Sequence, residues 1–212
     1  MQFDFSKVKE YKLYQALRWV AVLFCLRYKV NYIGRENIPQ DGGFIIACNH
    51  QSGVDPIILG RGVKRTIHFM AKEELFENEA LGIFIKHLNA FPVRRGQGDT
   101  TAVEFAEDIV RNGYVLGIFP EGTRSKDFKP ARGKSGTALI AKTTGADVLP
   151  VSIYTSDRYK KGTRLTVRFG KLIKNEEFGF TEEPHSAKEL KDATKRIMGD
   201  ITSLWEEGHC EK

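Results

Sequence analysis

"GFIIACNHQSGVDP", residues 43–56, changes character twice in fourteen positions. Phe44 to Cys48 form an uninterrupted apolar run of strand length, which reads as a buried β-strand. Polar residues and a glycine follow. Asp55-Pro56 then reads as the start of a helix, with aspartate at the N-cap and proline at the first helical position. A buried strand feeding a helix through a short polar loop is the repeating unit of an α/β sheet.

The same alternation continues outward. "RTIHFMAK", "VLGIFP" and "DVLPVSIY" read as further buried strands. "RLTVRFG" reads as an alternating one, with Leu165, Val167 and Phe169 set against Thr166 and Arg168. Thr101 and Glu104 offer a capping box for a helix that stops at Gly113, and a second helix is expected from about Ser135 to Thr144, ended by Gly145. A last helix begins at a Ser186/Glu189 capping box and carries Leu190, Ile197, Ile201 and Leu204 as an apolar stripe. There is no internal repeat or low-complexity linker. The expected architecture is therefore a single α/β domain over residues 30–212, with a central, mostly parallel sheet flanked by helices.

Residues 1–29 differ from the rest. Their longest apolar run, Trp19 to Leu26, would be about 12 Å long as a helix, whereas a hydrocarbon core is about 30 Å thick. Leu13, Leu17, Val20 and Phe24 share a helical face flanked by lysines and arginines, and Tyr11, Tyr14, Trp19 and Tyr28 suit a headgroup boundary. The segment is expected to be an amphipathic helix, either interfacial or packed on the core, and not a spanning one. No signal-peptide cleavage pattern follows it.

The 212 residues carry 33 Lys and Arg against 27 Asp and Glu, a formal net charge of +6. That excess favours anionic partners: lipid headgroups, an acidic carrier protein or nucleic acid. Three scattered cysteines (Cys25, Cys48 and Cys210) exclude a disulfide framework and a cysteine-rich zinc site. The familiar nucleotide and hydrolase motifs fail on inspection. "RGKSG" has Phe128 where a P-loop needs its first glycine, and "GQGDT" has Thr101 where a dinucleotide fingerprint needs its third. Ser52 is preceded at two residues by His50, so it is no hydrolase elbow. None of the five histidines has a close metal-ligand spacing.

Two blocks remain, each directly after an apolar strand, where α/β sheets gather their ligands. In the first, His50 and Asp55 can meet only if "QSG" bends the chain, because five residues of strand separate side chains by roughly 17 Å. One reading makes them a strand end and a helix cap. The other makes them a base and its orienting carboxylate, with a substrate hydroxyl as nucleophile. In the second block, "FPEGTRS", Arg124 offers a planar fork for phosphate and Gly122 allows close backbone approach.

Taken together, these blocks resemble the 1-acylglycerol-3-phosphate acyltransferase family. "NHQSGVDP", "LNAFPVRRG", "FPEGTRS" and "VLPVSI" match its four blocks in order, and "HFMAKEELF" matches an intervening segment, over about residues 30–205. The resemblance implies acyl transfer from an acyl-carrier-protein or coenzyme A thioester to the sn-2 hydroxyl of lysophosphatidic acid, forming phosphatidic acid. It makes His50 the general base, Asp55 its partner and Arg124 the phosphate ligand, with Glu121, Gly122 and Thr123 in the same acceptor-binding block. Arg95 becomes a second phosphate contact, and Lys72 and Lys134 further substrate contacts; Pro150 falls in the fourth block, where a structural or donor role is usual. It implies no metal or other cofactor, no nucleic acid, and a peripheral place on the anionic cytoplasmic face of the cell membrane. Two alternatives stand beside it: the same fold acylating another lipid hydroxyl, and a non-enzymatic binder of anionic lipid or nucleic acid.

Overall fold

The computed structural model describes residues 3–11, 14, 27–94, 98–183 and 186–209. Seven strands, β1 (Lys29–Ile33), β2 (Phe44–Cys48), β3 (Ile67–Lys72), β4 (Ala90–Val93), β5 (Val115–Ile118), β6 (Val148–Tyr154) and β7 (Arg164–Phe169), form one sheet. Their order is β1-β7-β6-β2-β5-β3-β4. Every neighbouring pair is parallel except β6 and β7. The expected α/β sheet is present.

The described helices are α1 (Asp55–Gly62), α2 (Glu79–His87), α3 (Thr100–Arg111), α4 (Gly136–Thr144) and α5 (Ala187–Glu206). Alternate residues of β2 explain how they divide. Phe44, Ile46 and Cys48 pack with Ile58 and Leu59 of α1 on one face of the sheet. Ile45 and Ala47 pack on the other with Phe105 and Ile109 of α3, Ile140 of α4 and Ile197 of α5. Central strands buried on both faces must be apolar at every position, which is why they stood out in the sequence.

Two strands that the sequence pattern left unmarked, β1 and β4, lie at the two ends of the sheet. β4 is four residues long and contains Pro92, whose missing N–H is tolerated on an edge strand. The expected alternation of β7 is also absent, since Thr166 and Arg168 are buried as well. The chain after α5 covers them: Arg168 pairs with Glu207 at 2.8 Å, and Thr166 meets His209 at 3.0 Å.

Helix ends differ from expectation in three places. Asp99, not the Thr101/Glu104 box, caps α3; its Oδ1 accepts from Ala102 N–H at 3.1 Å while Oδ2 closes the loop back to Arg94. Ser186 stands at the N-cap of α5, but Glu189 forms no capping box with it. Glu189 instead accepts from Lys142 of α4 at 2.6 Å and from Thr181 at 2.7 Å. Asp55 is the first residue of α1, not its cap; Val54 holds that position. Ser135 and Gly145 bound α4 as expected.

Residues 3–11 have no regular structure and lie on the domain. Phe3 and Phe5 meet Phe105 edge-on at 5.6 and 5.4 Å, and Tyr11 N–H donates to Asn89 at 3.0 Å. The rest of the helix expected before residue 29 falls, apart from Tyr14 and residues 27–28, outside the described residues. No helix among the described residues is long and apolar enough to cross a membrane.

Candidate active site

The carboxyl ends of β2, β5 and β6 lie side by side, because β2 is hydrogen-bonded between the other two. Each strand hands its chain to a loop on this edge. The β2 loop bends back within "QSG", and that bend brings His50 and Asp55 together. His50 Nδ1 lies 2.8 Å from Asp55 Oδ2, and the same oxygen accepts the backbone N–H groups of Gln51 and Ser52, each at 2.7 Å. The carboxylate therefore points backward into the loop and not forward along α1, so Asp55 meets His50 and does not cap the helix.

Asp55 is fully buried, and so its second oxygen also needs a donor. The Tyr159 hydroxyl supplies it at 2.5 Å. Tyr159 belongs to none of the sequence blocks and reaches the site through topology. The antiparallel pairing of β6 with β7 puts their connection, residues 155–163, beside the carboxyl end of β2. Arg158 and Tyr159 both adopt left-handed backbone angles, at φ of 50° and 60°. Such a pair costs about 1–2 kcal/mol per residue, an expense sustained only where surrounding contacts hold it. Burial first, then the neighbouring carboxylate, pushes the phenol's pKa up, so it stays a donor.

The imidazole is also held from below. His50 stacks on Phe119 with centroids 4.1 Å apart and planes 20° from parallel, and Phe119 lies parallel to Phe69 at 6.0 Å. Gly117 makes room for this column, since a Cβ there would sit 2.5 Å from the Phe69 ring. With Nδ1 committed to Asp55 and the ring plane fixed, Nε2 is the nitrogen left to meet a substrate.

"FPEGTRS" joins the same site through the backbone. Ser125 N–H donates to the His50 carbonyl at 2.8 Å, and His50 N–H donates to Glu121 Oε1 at 3.4 Å. Ala131 N–H reaches that same oxygen at 3.3 Å, whereas the buried Oε2 has no partner among the described residues. Burial pushes the Glu121 pKa up to about 7. Gly122 is left-handed at φ 69°, and the Lys134 side chain lies across it, its Nζ 3.0 Å from where a Cβ would stand. Arg124 is exposed and lies over the first loop, with Nη1 3.9 Å from the Cβ position of Gly53. The loops after β2 and β5 thus bring His50, Asp55 and Arg124 together, with Lys134 lying across Gly122.

Not every expected residue joins them. Lys72, at the end of β3, pairs with Glu74 at 2.6 Å. Thr123 is exposed on the "FPEGTRS" turn, Pro150 is buried within β6 opposite Ala47, and Arg95 lies outside the described residues. The Cys48 thiol, beside the site, is fully buried, and burial pushes its pKa well up, which disqualifies it as a nucleophile.

The fold and site define an α/β protein in which a buried carboxylate holds a histidine ring beside two exposed cations. The profile described as Acyltransferase matches residues 29–154, and the chain belongs to that family. It is 35% identical over 185 residues to the 1-acyl-sn-glycerol-3-phosphate acyltransferase of Bacillus subtilis, covering 85% of this chain and 92% of that one. The Streptococcus pneumoniae enzyme of the same name is 32% identical, over 73% of this chain and 59% of its own length. Among solved structures, the 1-acyl-sn-glycerophosphate acyltransferase PlsC of Thermotoga maritima is similar at a TM-score of 0.70 and 28% identity. That match covers 94% of this chain and 82% of the other.

Proposed function

We propose that this enzyme transfers a fatty acyl group from a carrier-protein or coenzyme A thioester to the sn-2 hydroxyl of lysophosphatidic acid, yielding phosphatidic acid. The reading is carried by one observation: the hydrogen bond from Ser125 to His50 fastens the cationic turn to the histidine–aspartate pair, with Arg124 over Gly53. A hydroxyl and a phosphate on one small molecule can therefore be engaged together. The relatives named for this reaction supply the substrate class.

In the proposed mechanism, Nε2 of His50 takes the proton as the acceptor oxygen attacks the thioester carbonyl. A C–O bond forms, the tetrahedral intermediate collapses, and the C–S bond breaks. The departing sulfur receives the proton back from the imidazolium. Asp55 holds the tautomer and stabilises the transient cation. Arg124 binds the acceptor phosphate, with Arg95 as a second phosphate contact and Lys134 and Lys72 as further substrate contacts. Glu121, Gly122 and Thr123 shape the turn. General-base catalysis contributes typically about 10² to 10⁴-fold, and positioning of the two substrates supplies much of the remainder. The basic surface and the aromatic, cation-flanked N-terminal segment support a peripheral place on the cytoplasmic face of the membrane, where the acceptor resides.

The same fold could acylate a different lipid hydroxyl, and Arg124 separates the cases. Acceptors with and without a free phosphate are compared in wild type and in Arg124→Ala. The expected result is a KM at least tenfold higher for phosphate-bearing acceptors alone, since one charge-assisted bidentate contact is removed. An equal effect on both acceptors would assign the phosphate elsewhere.

A further inference from the structure

On the face of the sheet opposite α1, an open groove of about 1280 Å³ runs between residues 132–135 and α5. Its floor is apolar, with Leu190 and Met198, and Met198 closes against Gly133. Its rim carries Arg132, Lys134, Lys191 and Lys195, all exposed, and no Asp or Glu lines it. The carboxylates of α5 that face the protein are engaged elsewhere: Glu189 with Lys142, and Asp200 with Arg196. None of the four rim cations has an ion-pair partner among the described residues.

We infer that this groove docks an acidic helical segment of the protein that delivers the acyl thioester. The proposal rests on the function proposed above and names the donor's docking surface. Two observations carry it. First, Lys191 and Lys195 stand one helical turn apart on α5, with Arg132 and Lys134 on the segment across the groove. Carboxylates spaced at i and i+4 on a partner helix match that spacing, with the apolar floor beneath. Secondly, one residue links the groove to the candidate site: Lys134 belongs to its rim and also lies across Gly122, one residue from the Glu121 carboxylate that accepts from His50.

The test is a doubly reversed variant, Lys191→Glu with Lys195→Glu, assayed with the same acyl chain on an acidic acyl carrier protein and on coenzyme A. Both residues are exposed on α5, and neither belongs to the catalytic or phosphate machinery. The expected result is a KM about tenfold higher for the carrier-protein thioester, with kcat and all coenzyme A parameters unchanged, as reversal of rim charge acts on encounter. Raising salt should weaken the wild-type carrier-protein reaction and leave the variant's indifferent. An equal rise for both donors would make the groove a site for the shared pantetheine arm, and reduced binding to anionic vesicles with unchanged donor kinetics would make it a lipid contact. Either result, or no change at all, overturns the proposal. If wild type transfers from neither donor, the proposed function itself fails.

Discussion

Glu121 shows how one side chain couples stability to pH. Its carboxyl is buried, with one oxygen holding two backbone N–H groups and the other unpartnered among the described residues. Its pKa is pushed up to about 7 in the folded protein, against 4.5 when solvated. Between those values the unfolded chain loses its proton while the folded one keeps it, so stability falls as pH rises from about 4.5 to 7. Glu121→Gln keeps a carbonyl acceptor and cannot ionise. Thermal midpoints measured from pH 4.5 to 7.5 should therefore decline less steeply in the variant. Parallel curves would show that Glu121 is already ionised in the fold. The residue scale is also where sequence reading went furthest. His50, Asp55 and Arg124 stood out as candidates in loops after apolar strands, the resemblance assigned their roles, and the structure brings them together. The error was local: Asp55 looked like a helix cap, but its carboxylate serves the loop behind it.

At the scale of elements, legibility followed burial. Strands β2, β3, β5 and β6 are apolar enough to be read directly, whereas β1 and β4 pair on one side only and leave a weaker trace. The same logic hid Tyr159. A tyrosine in the connection 155–163 signals nothing until the antiparallel return of β7 is known, because only that pairing carries it to Asp55. Tyr159→Phe removes the hydroxyl and keeps the ring. It should lower kcat roughly tenfold, given about 1.5–3 kcal/mol for a hydrogen bond to a charged group, and leave KM for the acceptor unchanged. A loss of folded enzyme with kcat per folded molecule unchanged would reduce Tyr159 to packing.

At the scale of the whole molecule, loops from adjacent carboxyl ends bring the His50–Asp55 pair and the cationic turn together. The basic groove lies along α5, on the sheet face opposite α1. None of this placement was visible in the net charge of +6, which counts cations without placing them. The resemblance named a reaction; the geometry explains how the chain can perform it. The central claim is that His50, held by Asp55, takes the proton from the acceptor hydroxyl. It is tested most directly by purifying wild type and His50→Ala and measuring thioester-dependent conversion of lysophosphatidic acid to phosphatidic acid. The account predicts turnover by wild type and a loss of about 10² to 10⁴-fold in kcat for a folded His50→Ala enzyme, the typical span of general-base catalysis. Turnover within a few-fold of wild type in that variant would contradict it.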